Sequence, residues 1–293
     1  MNQGFDYREQ LGPAAAGRTV LGYLVARYRH SSEVEWQRRI SAGEVLLEDT
    51  VALPSDFLRA GQRLVWQRPP WEEPDVPLAF AVLHCDEHLL AVAKPSGLPS
   101  VPNGGFLTHT LLHLVQRMAA EATPLHRLGR GTSGLVLFAR TAGARRAVAA
   151  AWRVGRVDKV YRALVTGIPA PAFSIDTPIG VVDHRRLGHV YAASREGRPA
   201  LTRVRLIGPG DGGTIVEATI PTGRPHQIRI HLAAAGHPLV GDPLYVAGGG
   251  PGPEPGLPGD GGYRLHAHRL GLAHPATGGR LELECAPPPD LRG

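Results

Sequence analysis

The sequence is poor in cysteine, in lysine and in long apolar runs. Its 293 residues include two cysteines, Cys85 and Cys285, which lie far apart. Two isolated cysteines predict reduced thiols and argue against a disulfide framework. No run approaches the ~20 apolar residues that a membrane span needs, and residues 1–10 lack the features of a secretory signal. We therefore expect a cytoplasmic protein with no membrane segment.

Acidic residues are scarce in one part of the chain. The whole sequence carries a formal net charge of +6. Residues 121–162 contain nine arginines or lysines but only two acids, Glu121 and Asp158, so this segment alone carries +7. Positive charge concentrated in this way favours an anionic partner with a phosphate backbone. The other interpretation, a solvated basic helix face, fits the arginines at 145, 146 and 153 equally well.

The hydrophobic pattern predicts two regions. Residues 1–70 read as a small module of two helices (19–29 and 34–40) followed by short strands (45–47 and 64–66). This order resembles an S4-type RNA-binding module. A proline-rich linker over 69–74 follows, since proline is excluded from helix interiors and central strands.

Residues 80–292 form the second predicted region, which is rich in strands. Apolar runs of strand length occur at 79–83, 89–93, 135–139, 160–165, 201–207, 214–220 and 281–285, and helical spacing occurs at 108–118, 142–153 and 226–235. Strands and helices do not alternate regularly, which predicts an α+β domain with a mostly antiparallel sheet. Residues 247–262 are dominated by glycine and proline and predict a surface loop.

One motif indicates the family. Residues 126–134 read His-Arg-Leu-Gly-Arg-Gly-Thr-Ser-Gly, which resembles the His-Arg-Leu-Asp-x-x-Thr-Ser-Gly signature of the RluA-type RNA pseudouridine synthases. Further segments resemble that family in the same order: Lys-Pro-Ser-Gly-Leu at 94–98, Lys-Val-Tyr-Arg at 159–162, Thr-Gly-Arg-Pro-His-Gln-Ile-Arg-Ile-His-Leu at 222–232, Gly-Asp-Pro-Leu-Tyr at 241–245, and Leu-His-Ala at 265–267. The resemblance covers roughly residues 80–275.

The resemblance implies an isomerase that converts uridine into pseudouridine in structured RNA, ribosomal or transfer, without a metal or other cofactor. It also implies site residues. Arg127 would fill the gap that a flipped base leaves, Tyr161 would stack on that base, and Arg224 would pair with the catalytic aspartate. The predicted RNA-binding residues are His126, Arg130, Lys94, Lys159 and Arg229. We expect a monomer whose partner is RNA.

Gly129 occupies the position where the family has its catalytic aspartate, and glycine cannot act as nucleophile or base. A replacement carboxylate has to come from elsewhere. Asp242 belongs to the ordinary Gly-Asp-Pro-Leu-Tyr motif, and Asp158 is expected on the strand face opposite Tyr161. Asp183, in a predicted loop, is the leading candidate.

Other classes of function remain alternatives. The strongest is a non-catalytic RNA-binding protein descended from a synthase, because every binding residue is present and only the chemical group is missing. The glycines at 129, 131 and 134 match a dinucleotide fingerprint, but an apolar run of strand character follows them where that fingerprint requires a helix. His109 and His113 have helical spacing suited to zinc, but no catalytic glutamate accompanies them. We predict no metal site.

Overall fold

The computed structural model describes residues 1–185 and 188–293. It divides into two compact units, Met1–Glu73 and Pro74–Gly293. The division falls inside the proline-rich segment at 69–74. In the described part of the chain, no helix is long and apolar enough to cross a bilayer.

The first unit packs two short helices on an antiparallel sheet. The helices begin at side-chain caps, Thr19 for α1 and Ser32 for α2, and Ser32 forms a capping box with Glu35. Trp36 and Ile40 lie at the centre of the core. The sheet order is β1-β4-β2-β3. The elements are β1 Phe5–Gln10, α1 Val20–Arg27, α2 Glu33–Ser41, β2 Val45–Leu47, β3 Thr50–Val51 and β4 Arg63–Arg68.

The two predicted helices and both predicted strands of this unit are confirmed, whereas β1 and the two-residue β3 were not predicted. β1 pairs with β4 along its whole length, from Phe5 opposite Arg68 to Gln10 opposite Arg63. β1 has the sequence Phe-Asp-Tyr-Arg-Glu-Gln and so lacks the run of apolar residues from which the other strands were predicted. The S4-like identity of the unit stays a prediction.

The second unit is built on one large, mostly antiparallel sheet, and this α+β architecture agrees with the sequence prediction. The principal strand order is β10-β13-β14-β9-β15-β8-β6-β5, with β16 and β7 attached beside it. β8 and β15 form a parallel pair within this sheet. The strands are β5 Ala81–Cys85, β6 Leu89–Lys94, β7 Thr123–Pro124, β8 Ser133–Ala139, β9 Asp158–Val165, β10 Ala172–Ile175, β11 Ile179–His184, β12 Gly188–Ala193, β13 Thr202–Gly210, β14 Gly213–Thr219, β15 Leu265–Ala273 and β16 Arg280–Glu284; the helices are α3 Leu111–Met118, α4 Ala142–Arg153 and α5 Gln227–Ala234.

Helices cover both faces of this sheet. On one face, α4 buries Ala144 and Val148 against Leu135 and Leu137 of β8. The alternate residues of β8, Val136 and Phe138, point to the other face. There they pack with Leu111 and Val115 of α3, and α5 packs on the neighbouring part of the same face.

The segment between β10 and β13 corrects one prediction. Asp183 was expected in a loop, but it lies in β11 of the separate two-stranded ladder formed by β11 and β12, opposite His189. The residues of β11 alternate between buried and exposed positions, which is the pattern of a strand with one solvated face. Residues 186 and 187 lie outside the described part.

Candidate active site

Tyr161 of β9 is the centre of the candidate site, which we call the cleft, because it packs against the cluster that contains Leu128 of the signature loop and against the cluster that contains Ile228 of α5. Its half-buried ring packs against two core clusters, one under α5 and one under α3. Its cross-strand neighbours are Ala218 in β14 and Ala267 in β15, and directly paired residues share a sheet face. Burial raises the pKa of the Tyr161 hydroxyl to about 12, so the ring is neutral at pH 7.

The signature loop at 126–132 forms one rim of this cleft, and the preceding Lys-Pro-Ser-Gly segment holds it. Ser100 Oγ donates to the Leu128 carbonyl at 2.8 Å and accepts the Leu128 N–H at 3.0 Å. Ser96 Oγ donates to the Gly131 carbonyl at 2.7 Å. Gly97 has φ +92°, a conformation that strongly favours glycine, and its N–H donates to the Arg130 carbonyl. The loop is therefore fixed by backbone contacts.

The opposite rim is the start of α5. The buried side chain of Gln227 donates to the Leu201 carbonyl and accepts from the Thr222 hydroxyl and the Arg224 N–H. Its amide thus ties the turn before the helix to the segment that leads into β13. Such a satisfied polar network specifies one backbone geometry, and it fixes where α5 begins.

Beneath the rims lies a buried ion pair between Arg229 and Asp242. Arg229 Nε and Nη2 each donate to a different oxygen of Asp242 at 2.7 Å. Asp242 Oδ1 also accepts the N–H groups of Leu244 and Tyr245. The Arg229 guanidinium lies 4.2 Å from the ring centroid of Tyr263 and 4.9 Å from that of Tyr245. A bidentate pair in this setting is fixed in position because breaking it leaves a buried charge uncompensated.

Tyr263 connects this pair to the signature loop. Its buried hydroxyl lies 3.2 Å from Thr132 Oγ1. A Cβ atom added to Gly129 would lie 2.9 Å from the Tyr263 hydroxyl oxygen, and one added to Gly131 would lie 2.9 Å from two ring carbons. Tyr263 therefore occupies space that a side chain at position 129 would require. In this chain the glycine at the aspartate position and the tyrosine fit each other.

Tyr245 connects the same pair to His226. Its hydroxyl donates to the Tyr191 carbonyl at 2.8 Å and lies 2.7 Å from His226 Nδ1. Burial is the largest cause that lowers the pKa of His226 to about 4, and the charges of Arg229 and Arg127 act in the same direction. Because the charge of Arg127 acts on His226, the signature loop and the start of α5 lie close to each other.

Arg127 and Arg224 are the two predicted arginines at the cleft. Arg127 is exposed. Arg224 donates through Nε to the Pro199 carbonyl at 3.0 Å. Within residues 1–185 and 188–293, no carboxylate forms an ion pair with either one, so the pairing expected for Arg224 is not found there. The arginine beside the Gly129 region is instead Arg229, with the Tyr263 ring between them.

The three candidate acids do not supply a free carboxylate near Tyr161. Asp242 is buried, with its side chain 1% exposed, and accepts from the four donors described above. Asp158 is exposed and pairs with Arg280. Asp183 lies exposed in β11. Because Asp183 lies in a strand, no loop carries it to the cleft.

Most of the predicted RNA-binding residues contact the protein itself. The Lys94 ammonium is buried and donates to the carbonyls of Pro95, Leu98 and Arg130. Burial lowers its pKa to about 7. Lys94 therefore stabilises the signature loop from the protein interior, through its hydrogen bond to the Arg130 carbonyl. Arg229 belongs to the ion pair beneath the rims.

His126, Lys159 and Arg130 lie nearer the rims. His126 Nε2 accepts the Leu137 N–H at 3.0 Å, its ring stacks on Trp152, and burial lowers its pKa to about 4. Lys159 Nζ donates weakly to the carbonyls that precede α5. Arg130 donates to the Gly259 carbonyl. Among the predicted basic residues, Arg127 is the exposed one at the cleft.

The basic segment at 121–162 is spread over both faces of the sheet. Arg145 and Arg146 are exposed on α4, whose apolar side packs on the face opposite Tyr161. Arg140 pairs with Glu121, and Arg162 pairs with Glu217. The continuous positive surface around the signature is therefore smaller than the sequence indicates. No group of three or more possible metal ligands occurs among the described histidine, cysteine, aspartate and glutamate residues.

Comparisons with known proteins agree with this geometry. The family model for RNA pseudouridylate synthase matches residues 88–234, which include the signature loop, Tyr161 and α5. The chain is 42% identical over 276 residues to an uncharacterised RNA pseudouridine synthase of Synechocystis, covering 93% of this chain and 95% of that protein. It is 36% identical to RNA pseudouridine synthase 5 of Arabidopsis thaliana, covering 93% and 89%.

A third relative has a more specific name. The ribosomal large subunit pseudouridine synthase D of Neisseria meningitidis is 32% identical, with 94% of this chain and 77% of that protein covered. Among solved structures, human RNA pseudouridylate synthase domain containing 1 has the same fold, with a TM-score of 0.58, 24% identity, and 74% and 87% coverage. The chain belongs to the RNA pseudouridine synthase family and is an RNA pseudouridine synthase. These relatives do not favour the non-catalytic alternative.

Sequence reasoning missed His226, Tyr245 and Tyr263 as site residues. The first two lie inside motifs that were quoted for the family resemblance, so their position was a usable signal. Tyr263 lies outside those motifs, at the start of the last long strand. Its contact with Gly129 joins residues that are more than a hundred positions apart, and one sequence contains no signal for such a pair.

Proposed function

We propose that this chain isomerises a uridine in structured ribosomal or transfer RNA, with the target base stacked on Tyr161. The observation that carries the proposal is the half-buried Tyr161 ring between two alanine-bearing strands, bounded by the signature loop and the start of α5. Stacking of a base on an aromatic ring contributes ~1–3 kcal/mol and tolerates any base sequence around it. The name of the Neisseria relative makes large-subunit ribosomal RNA the first substrate to test.

We propose that Arg127 enters the RNA helix and occupies the position that the flipped base leaves. Base flipping costs a few kcal/mol, and a side chain in the vacated position offsets part of that cost. Arg127 is exposed and close to His226, which supports this role. The reaction moves a glycosidic bond within one nucleoside and involves no net oxidation, so the enzyme that we propose works without a metal. Its location in the cytoplasm and its monomeric state are separate parts of the proposal.

The test is tritium release from RNA that contains 5-tritiated uridine, because the new bond forms at C5 and displaces that hydrogen. The purified protein should release tritium from ribosomal or transfer RNA. Tyr161→Ala should lower kcat/KM by on the order of 10- to 100-fold, which corresponds to the lost stacking energy.

Phe173→Ala is the matched control for this substitution. Phe173 is also a partly buried aromatic residue on the α5 cluster, but it lies in β10 at the far edge of the sheet. Similar loss of stability with retained turnover is expected for it. Absence of tritium release from total ribosomal and transfer RNA by the wild-type protein would contradict the proposed function.

A further inference from the structure

The start of α5 contains an unusual backbone conformation. In the described part of Pro74–Gly293, His226 is the one non-glycine residue with a φ in the left-handed region, at 55°. Histidine tolerates this region better than most residues, but the conformation still costs free energy. Conformations of this kind persist where the surroundings fix them, and they occur at functional sites more often than elsewhere.

The hydrogen bonds of Tyr245 determine which nitrogen of His226 carries the proton. The tyrosine has one hydroxyl hydrogen, and it donates this hydrogen to the Tyr191 carbonyl. At 2.7 Å, the contact between Tyr245 and His226 therefore requires Nδ1 to donate. In the neutral ring Nε2 is then the unprotonated acceptor. A second group thus orients the imidazole, as in other sites where histidine acts as a base.

Nε2 of His226 remains available. Among the described residues, Nε2 has no hydrogen-bond partner. It is also absent from the set of unpartnered side-chain atoms that solvent cannot reach, so Nε2 is accessible. The charged and titratable groups that act on His226 are Arg229 and Asp242 below it and Arg127 on the opposite rim, with Tyr245 at Nδ1. Burial and the two arginines lower its pKa to about 4, which keeps the ring neutral at pH 7.

We propose that His226 is the acid–base residue of the cleft and that its Nε2 removes the proton from C5 of the base after the new C5–C1′ bond has formed. This inference rests on the proposed function. The N1–C1′ bond breaks and the C5–C1′ bond forms. The C5–H electron pair restores the aromatic uracil ring, and the proton passes to Nε2. Nε2 then passes the C5 proton to water, and N1 takes up one proton from water, so the product is an isomer and His226 returns to its neutral form.

The other groups of the cleft leave this role open. Gly129 has no side chain, and the carboxylate of Asp242 is buried and accepts from four donors. The Tyr161 hydroxyl has a raised pKa and is a poor base at neutral pH. A weakly basic imidazole suffices for the step, since loss of the C5 proton restores an aromatic ring. General acid–base catalysis of this kind contributes about 10²- to 10⁴-fold.

The central test uses His226→Gly, because glycine adopts the left-handed conformation readily and leaves a cavity of imidazole size. Tritium release by this variant should fall by about 10²-fold or more, while RNA affinity stays within twofold of wild type. Added imidazole should restore a substantial part of the lost rate. A variant that is merely misfolded cannot respond in this way.

Two further variants separate the possible outcomes. Tyr245→Phe removes the acceptor that orients Nδ1, and it should lower the rate about tenfold or more without abolishing it. His237→Asn alters a histidine bonded to the Thr166 carbonyl away from Tyr161 and should stay fully active. Full activity of His226→Gly would overturn the inference. It would also be overturned if His226→Gly were inactive and not rescued by imidazole while Tyr245→Phe stayed fully active. Inactive wild type would instead overturn the proposed function.

Discussion

The two rims of the cleft differ in their chemistry. The loop at 126–132 carries no carboxylate, and its histidine turns into the protein to accept the Leu137 N–H. At the start of α5 and beneath it lie a histidine with a fixed tautomer, a buried ion pair and two tyrosines. The difference teaches that a missing acid in a signature motif does not define the chemistry of the whole site. Groups able to move a proton are concentrated on the helical rim.

Tyr263 explains how the two rims fit together. It stacks on the guanidinium of Arg229 and reaches the loop with its hydroxyl. The glycines at 129 and 131 leave room for it. Gly129 is therefore part of a packing arrangement in this chain. Restoring the family's aspartate by Gly129→Asp would require Tyr263 to move.

The largest expected effect comes from replacing one arginine by alanine on each side of the cleft, Arg229 in the buried pair beneath the start of α5 and Arg127 on the signature loop. Arg229→Ala leaves the Asp242 carboxylate buried without its partner and should lower the free energy of unfolding by about 3–5 kcal/mol. Arg127→Ala removes an exposed side chain and should change that free energy by less than about 0.5 kcal/mol. Urea unfolding of the two variants measures the contrast. Equal stability losses would remove the distinction between the rims.

A smaller effect concerns the fit between Gly129 and Tyr263. Gly129→Ala should destabilise the protein by about 1–3 kcal/mol, because the added methyl group meets the Tyr263 hydroxyl. Part of this loss should disappear in the Gly129→Ala, Tyr263→Phe double variant. The interaction energy from the double-mutant cycle, measured by urea unfolding, should therefore differ clearly from zero.

Two glycines provide controls for this cycle. A methyl group at Gly131 meets ring carbons that phenylalanine keeps, so Tyr263→Phe should not relieve Gly131→Ala. Gly143 lies in α4 with open space around its Cβ position, and Gly143→Ala should stabilise by about 1 kcal/mol. Additive effects of Gly129→Ala and Tyr263→Phe would show that the contact does not constrain position 129.

Much of the fold could be predicted from the sequence because the buried strands and helices have a clear pattern of apolar residues. The strands β6, β8, β9 and β14 and the helix α4 are long and strongly patterned, and each was predicted within a few residues. The region of β10 to β12 was not, since its strands are short and partly solvated. There Asp183 looked like a loop residue although it alternates with buried neighbours.

Only those site residues that lie in recognisable motifs could be predicted from the sequence. Tyr161 and Arg127 were identified through the family resemblance, but pairwise geometry was not. Nothing in the sequence tells that Arg229 is the arginine near Gly129, or that Lys94 is buried against three carbonyl groups. Burial and the orientation of a hydrogen bond depend on contacts between distant segments. The tautomer of His226 is such a case, because it depends on Tyr245 and on the Tyr191 carbonyl.

The most direct test of the account is the deuterium isotope effect at C5 in single-turnover reactions with matched RNA containing uridine or 5-deuterated uridine. If His226 removes the C5 proton, its replacement by glycine slows that step until it limits the rate. We then expect a primary isotope effect in His226→Gly that is larger than in wild type and that shrinks when imidazole is added. An isotope effect equal in wild type and His226→Gly, with a slower rate in the variant, would contradict it and assign proton removal to another group.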